Sequence, residues 1–272
     1  LIGFTAFTNV AKADAPDKCI DAIGAKVDGK YTLTPTDIGN EMDFCTDTPE
    51  RFVITIHELG LCTDQPIPTD TRTFSRDDCV VTMKSNGVAA DLANSTVALP
   101  SMSGRPPSGR YTHAYIIITN TFGLRGSVTL KNDAGADVKY CSQNQEDENS
   151  TPGTIEPNFC TPENHTEVLD NFEGGETFSA YFPEVEMNEG GKITALLTKD
   201  DENLTTASNE TEAERLIGVF ETNSGAPIVI DNGTNGLEMQ LTVTDIGYGI
   251  EFLEGEPLDF GSQPFRPVFE TF

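Results

Sequence analysis

The chain has 272 residues, enough for one large domain or two small ones, and 37% hydrophobic residues with 16 Phe describe an ordered globule rather than a disordered polymer. Against 17 Lys and Arg stand 44 Asp and Glu, a formal charge of −27, which repels phosphate backbones and anionic lipid surfaces and excludes nucleic acid as a partner. The strongest apolar run, Ala114-Tyr115-Ile116-Ile117-Ile118, is far short of the roughly 18 residues of a spanning helix, so no membrane span is expected.

Residues 1–13 come first in chain order. Ile2, Phe4, Ala6 and Val10 lie on one side of a period-two pattern, while Ala11-Lys12-Ala13 matches the small-x-small site of a signal peptidase. A secretory signal has a basic start and an apolar core of about 7 to 15 residues. This stretch opens on Leu1 and carries Thr5, Thr8 and Asn9 instead. The expectation is a retained strand extension on a mature chain that begins at or just before Leu1, with Lys12 to Pro16 as a polar joint.

Six cysteines follow, Cys19, Cys45, Cys62, Cys79, Cys141 and Cys160, with no CxxC pair and no histidine at zinc spacing. Disulfides are the expected use. Order along the chain favours 19–45, 62–79 and 141–160, the last two enclosing polar loops. Closing loops of this size contributes roughly 3 kcal/mol each in the chain-entropy picture, and such staples place the chain outside the cytosol, at the cell surface.

Short runs rich in β-branched and aromatic residues, bounded by Gly, Pro, Asn or Asp, predict strands over 51–59, 79–85, 110–121, 126–132, 136–141, 176–182, 192–199, 226–231, 237–246 and 263–272. The "NDAGAD" turn makes 126–141 a hairpin. One helix is expected, over "ASNETEAERLIGVF" (207–220), where capping residues precede a Glu-rich first turn. The predicted class is therefore all-β, a disulfide-stapled β-sandwich of jelly-roll or Ig-like type. Residues 161–272 contain no cysteine and hold 23 acids against 4 bases, which suggests a boundary near 161–175. The organisation read is a strand extension (1–13), a disulfide-containing sandwich (14–165) and an acidic β region (166–272), the last a second domain or a continuation of the same sandwich.

The chemistry is sparse. His57 and Glu58 are neighbours on a predicted strand, so they face opposite sides and do not share a metal. His113 shares a strand face with Tyr111 and Tyr115, an aromatic platform or an ordinary packed strand. His165 is expected to be solvated in a polar loop. No GxSxG, HExxH, P-loop or dinucleotide fingerprint occurs, and paired cysteines leave no nucleophilic thiol, so no enzyme is expected. No cofactor is expected either. Calcium is the one candidate, at "KDDENLT" (199–205) and "VIDNGTNG" (229–236), although neither matches an EF-hand loop. Sequons for glycosylation stand at Asn94, Asn149, Asn164, Asn203, Asn209 and Asn232.

An alternating apolar segment at residues 1–13 ahead of a stapled β body resembles the layout of donor-strand filament subunits, the pilins of chaperone–usher pili and related extracellular β-filaments. The resemblance implies that Ile2, Phe4, Ala6 and Val10 fill a groove in a neighbouring copy, so that the chain polymerises with itself. Gly3, Thr8 and Asn9 make this segment less apolar than a strong donor strand, and pairing within its own sheet stays open. Two other roles fit the same composition: a secreted glycan-binding module or adhesin, and a virion or tail structural protein.

Overall fold

The computed structural model describes residues 17–38, 44–93, 105–132, 134–143, 160–173, 177–187, 191–253 and 256–272. Ile2, Phe4, Ala6 and Val10 lie outside the described residues, as do Asn94 and Asn149. Within them the chain is almost all β, with helix limited to single turns such as Cys19–Ala22 and Pro35–Ile38. In chain order the strands are β1 (Phe44–Asp47), β2 (Arg51–Cys62), β3 (Cys79–Asp91), β4 (Gly109–Tyr111), β5 (His113–Thr119), β6 (Thr121–Arg125), β7 (Ser127–Lys131), β8 (Asp137–Cys141) and β9 (His165–Val168). They continue as β10 (Tyr181–Glu186), β11 (Lys192–Thr198), β12 (Arg215–Glu221), β13 (Ile228–Ile230), β14 (Leu237–Thr242), β15 (Tyr248–Leu253), β16 (Glu256–Ser262) and β17 (Arg266–Thr271).

Eight strands build one antiparallel sheet in the order β10-β11-β12-β5-β2-β6-β9, with β3 along the other side of β2. A three-stranded sheet, β1-β15-β16, and the pairs β13-β4, β14-β17 and β7-β8 complete the ladder. The run from Ala114 to Ile118 is buried throughout because both faces of β5 are covered. Ile116 and Ile118 join Phe52, Ile54, Tyr248, Ile250 and Phe260 in the main core, which the large and small sheets share. Tyr115 and Ile117 face the other way, onto Cys62, Ile67, Leu196 and Ile217. Strands that follow residue 161 pair with strands that precede it in both sheets, β12 with β5, β9 with β6 and β15 with β1.

Burial overrides local propensity in one place. The helix expected over 207–220 is instead a 3-10 turn, Glu210–Glu212, followed by strand β12. Leu216, Ile217, Val219 and Phe220 are all buried, on both faces of a strand between β11 and β5, and a helix would present such a run on one face only. The strand expected over 110–121 is cut twice. Thr112 leaves the ladder between β4 and β5, its amide donating to the Cys62 carbonyl at 3.0 Å. Asn120 separates β5 from β6, its side-chain amide donating to the carbonyls of Ala213 at 2.8 Å and Leu169 at 3.1 Å. The 126–141 hairpin forms as β7 and β8. Its turn is closed by Asn132, whose side-chain oxygen accepts from the amides of Ala134 and Ala136, with Gly135 at φ 77°.

A bulge between Ile56 and Glu58 resets the alternation of β2. Phe52, Ile54 and Ile56 before it and Leu59 after it therefore enter the same core.

Three disulfides join Cys19 to Cys45, Cys62 to Cys79 and Cys141 to Cys160, across 26, 17 and 19 positions of the chain. The second closes the 63–78 loop, which lays Ile67 and Phe74 over the outer face of the large sheet. Replacing Cys62 and Cys79 with alanine is expected to cost about 3 kcal/mol of stability, because loop closure no longer restricts the unfolded chain. Limited proteolysis of that variant should cut within 63–78 first.

Candidate functional site

The most developed polar cluster under the 63–78 loop centres on Glu58. Its carboxyl is buried in the outer face of the large sheet, where Oε1 accepts from the Arg76 guanidinium at 2.6 Å and from the Tyr115 hydroxyl at 2.8 Å. Lys84 Nζ approaches Oε2 at 3.3 Å. Burial alone would raise this carboxyl, but hydrogen bonds from Arg76, Tyr115 and Lys84, with the Arg76 charge, hold it below the usual range. Arg76 also stacks over Phe74, and Phe74 meets Tyr115 edge-on at 5.1 Å. The Glu58 carboxyl thus has a partner on the loop, Arg76, and partners on β5 and β3, so the cluster pins the loop to the sheet.

The histidines divide by position. His57 is half-buried, with Nε2 3.0 Å from Thr119 Oγ1; the bulge puts it and Glu58 on the same side of β2, not on the opposite sides expected, yet among the described residues they share no hydrogen-bond partner. The expected face of Tyr111, His113 and Tyr115 does not form. The break at Thr112 sends Tyr111 into a cluster with Leu61, Ala114 and Ile228, while Tyr115 packs on the opposite side with Ile117. His165 is not in a solvated loop but on β9, 3% exposed, paired in register with Leu124.

That strand is inverted relative to an ordinary amphipathic one. His165 and Glu167 face inward, and Val168 is 53% exposed. Among the described residues neither ring nitrogen of His165 has a partner in full hydrogen-bonding geometry, although the nearby Phe260 backbone acts in favour of its protonated form. Burial pushes its conjugate acid down to about 4, so it is neutral. Glu167 Oε2 accepts from the Ser262 amide on β16 at 2.6 Å, and Asp259 Oδ1 accepts from the Phe260 amide at 2.7 Å. Burial lifts Glu167 to about 7 and Asp259 to about 8, the neighbouring Glu167 and Glu251 adding to the shift of Asp259. The stacked rings of Tyr248 and Phe260 wall this seam, with His165 6.5 Å from Tyr248. Sequence reading missed this seam because "HTEV" carries its polar residues where a core-facing pattern needs apolar ones.

The acidic loops are internally engaged. Asp200 pairs with Arg215, Asp201 accepts from the Thr205 amide, and Asp231 accepts from the Gly233 amide. Among the described residues no group of three or more His, Cys, Asp and Glu could hold a metal ion. Asn164, Asn203, Asn209 and Asn232 are all exposed.

Comparison with protein-family models, with characterised proteins and with solved structures finds no match to the chain.

Proposed function

We propose that the chain is a structural subunit of an extracellular filament or pilus-like appendage, in which residues 1–13 of one copy complete a sheet of the next, with no catalytic role. The observation that supports this most directly is the state of the smaller sheet. β1 has four residues and pairs with β15 along one side. Along its other side it meets the incoming chain at one parallel bridge, Lys18 to Thr46, where the Thr46 amide donates to the Asp17 carbonyl at 3.0 Å. The chain thus enters the body extended beside a short edge.

In this reading the two sheets that share the main core are the layers of a jelly-roll or Ig-like sandwich whose smaller layer is short of a strand. A donated strand makes main-chain bonds along an edge and sets Ile2, Phe4, Ala6 and Val10 toward the core. Head-to-tail contacts that do not close into a ring give open filaments. Three disulfides suit a protein outside the cell, and among the described residues no helix is long and apolar enough to cross a membrane.

Negative-stain microscopy of the full chain beside a variant lacking residues 2–10 tests the proposal. Filaments are expected from the full chain alone, with the truncated protein monomeric and unchanged in its circular dichroism. Filaments of equal length from both proteins, or a full chain that stays monomeric at high concentration, would sink it. The second result would favour the secreted binding module.

A further inference from the structure

We propose that Glu167, reaching from the edge strand β9 to the Ser262 amide, is a proton-sensitive latch that holds β9 against the outer edge of β16, with the buried Asp259 of β16 as the second acid of the seam. The two strands belong to different sheets, β9 ending the eight-stranded sheet and β16 ending the three-stranded one. The Gln263 amide donates to the Gly247 carbonyl across the β15–β16 ladder at 3.1 Å. By antiparallel alternation the amides of residues 261 and 259 then face β15, and those of Phe260 and Ser262 face outward. Both outward amides end on a carboxyl, Asp259 Oδ1 for Phe260 and Glu167 Oε2 for Ser262. Two side-chain acids stand where a further strand would present its carbonyls, and one of them is supplied by the opposite sheet.

The surroundings bury these acids and give them backbone amides rather than cations as partners among the described residues. Glu167 is 7% exposed and Asp259 9%. The titratable and charged neighbours are His165 on β9, Tyr248 and Glu251 on β15, Glu50 ahead of β2, Arg51 at its start, and Arg125, which pairs with Arg51 across the β2–β6 ladder. Arg125 is turned to Glu50 at 3.5 Å, and Arg51 acts on His165, disfavouring its protonation. Among the described residues no cation belongs to the groups that shift either acid, and the two charges that act on Asp259 are negative. When both carboxyls ionise, two like charges sit in an apolar seam, and admitting water is the available relief.

The sign follows from the direction of the shifts. Both acids hold their protons more tightly in the closed seam than in an open one, where they return toward 4.5 and 3.8. Closure is fully favoured below those ordinary values and is lost as the pH rises through about 7 to 8. His165 works in the opposite sense, its contribution present above its ordinary 6.5 and lost as the pH falls toward about 4. Of these three groups, the two acids are the ones expected to change charge between pH 6.5 and 8. β9 suits a latch because it has four residues, pairs with β6 on one side and buries polar side chains in place of apolar ones.

Amide hydrogen exchange of the full chain between about pH 6 and 9, corrected for intrinsic base catalysis, reads the latch directly. Protection at Phe260 and Ser262 is expected to fall about ten-fold or more, while Ile117 and Leu197 in the middle of the large sheet keep theirs. In the double variant Glu167→Gln with Asp259→Asn the fall should vanish. Carboxyl-carbon NMR titration of the unmodified chain gives a second reading that needs no variant, with both acids titrating above about pH 6. Titration of both near their ordinary values, flat protection at Phe260 and Ser262, or a fall that survives the double substitution overturns the proposal.

Discussion

Alanine at Gly60 is expected to lower stability by about 3 kcal/mol, the upper part of the range for forcing extra atoms into a packed interior. Gly60 on β2 lies directly opposite Tyr115 on β5, and the tyrosine ring fills the space that a side chain would take. An added Cβ would meet Tyr115 Cε1 at 2.2 Å and Cζ at 2.5 Å. The ring cannot swing clear without loss. Its hydroxyl is held by Glu58 and its edge by Phe74, and it is buried in the cluster beneath the 63–78 loop. Urea denaturation of Gly60→Ala measures the cost. Combining it with Tyr115→Ala should give a loss smaller than the sum of the two, because the second substitution removes the clash created by the first. A Gly60→Ala protein within about 0.5 kcal/mol of the parent would show that the ring has room to move.

Glu58→Ala is expected to cost a similar amount, about 3 kcal/mol, for a different reason. It leaves the buried Tyr115 hydroxyl without its acceptor, strands Arg76 beside an apolar face and opens a void under the loop. Glu58→Gln keeps the volume and one acceptor and should cost about half as much. The Glu58 carboxyl sits below its ordinary 4.5, so its stabilisation is present above that value and fades as the pH falls beneath it. Thermal unfolding midpoints of parent and Glu58→Gln should therefore converge on acidification below about pH 4. Curves that stay parallel down to about pH 2 would mean that the ion pair contributes nothing. In the proposed latch Glu167 and Asp259 have the opposite pH dependence, their contribution being lost as the pH rises.

Several features were legible from residues alone because they depend on local chemistry. Alternation and β-branched runs mark β2, β3, β7, β8 and β11, and Asn132 with Gly135 marks the hairpin turn. The disulfides join cysteines that are neighbours in sequence order, across short polar loops. The expected helix at 207–220 shows the limit of such reading: Asn209 and its neighbouring glutamates favour a helical start, yet the apolar run after Arg215 has a place only between β11 and β5.

The sequence by itself determined the all-β class, the staples and the large acidic excess, since these follow from composition and from contacts between near neighbours. Tertiary structure alone decided that Gly60 must stay a glycine, that Tyr111 and Tyr115 part to opposite faces, and that His165, Glu167 and Asp259 are buried. Those outcomes depend on which strands meet across a sheet or a seam. Glu167 and Asp259 stand 92 positions apart in the chain, and only the pairing of β9 with β6 and of β16 with β15 brings each to the same outer edge. No periodicity within either strand carries that information, because a buried acid departs from the pattern by which burial is read.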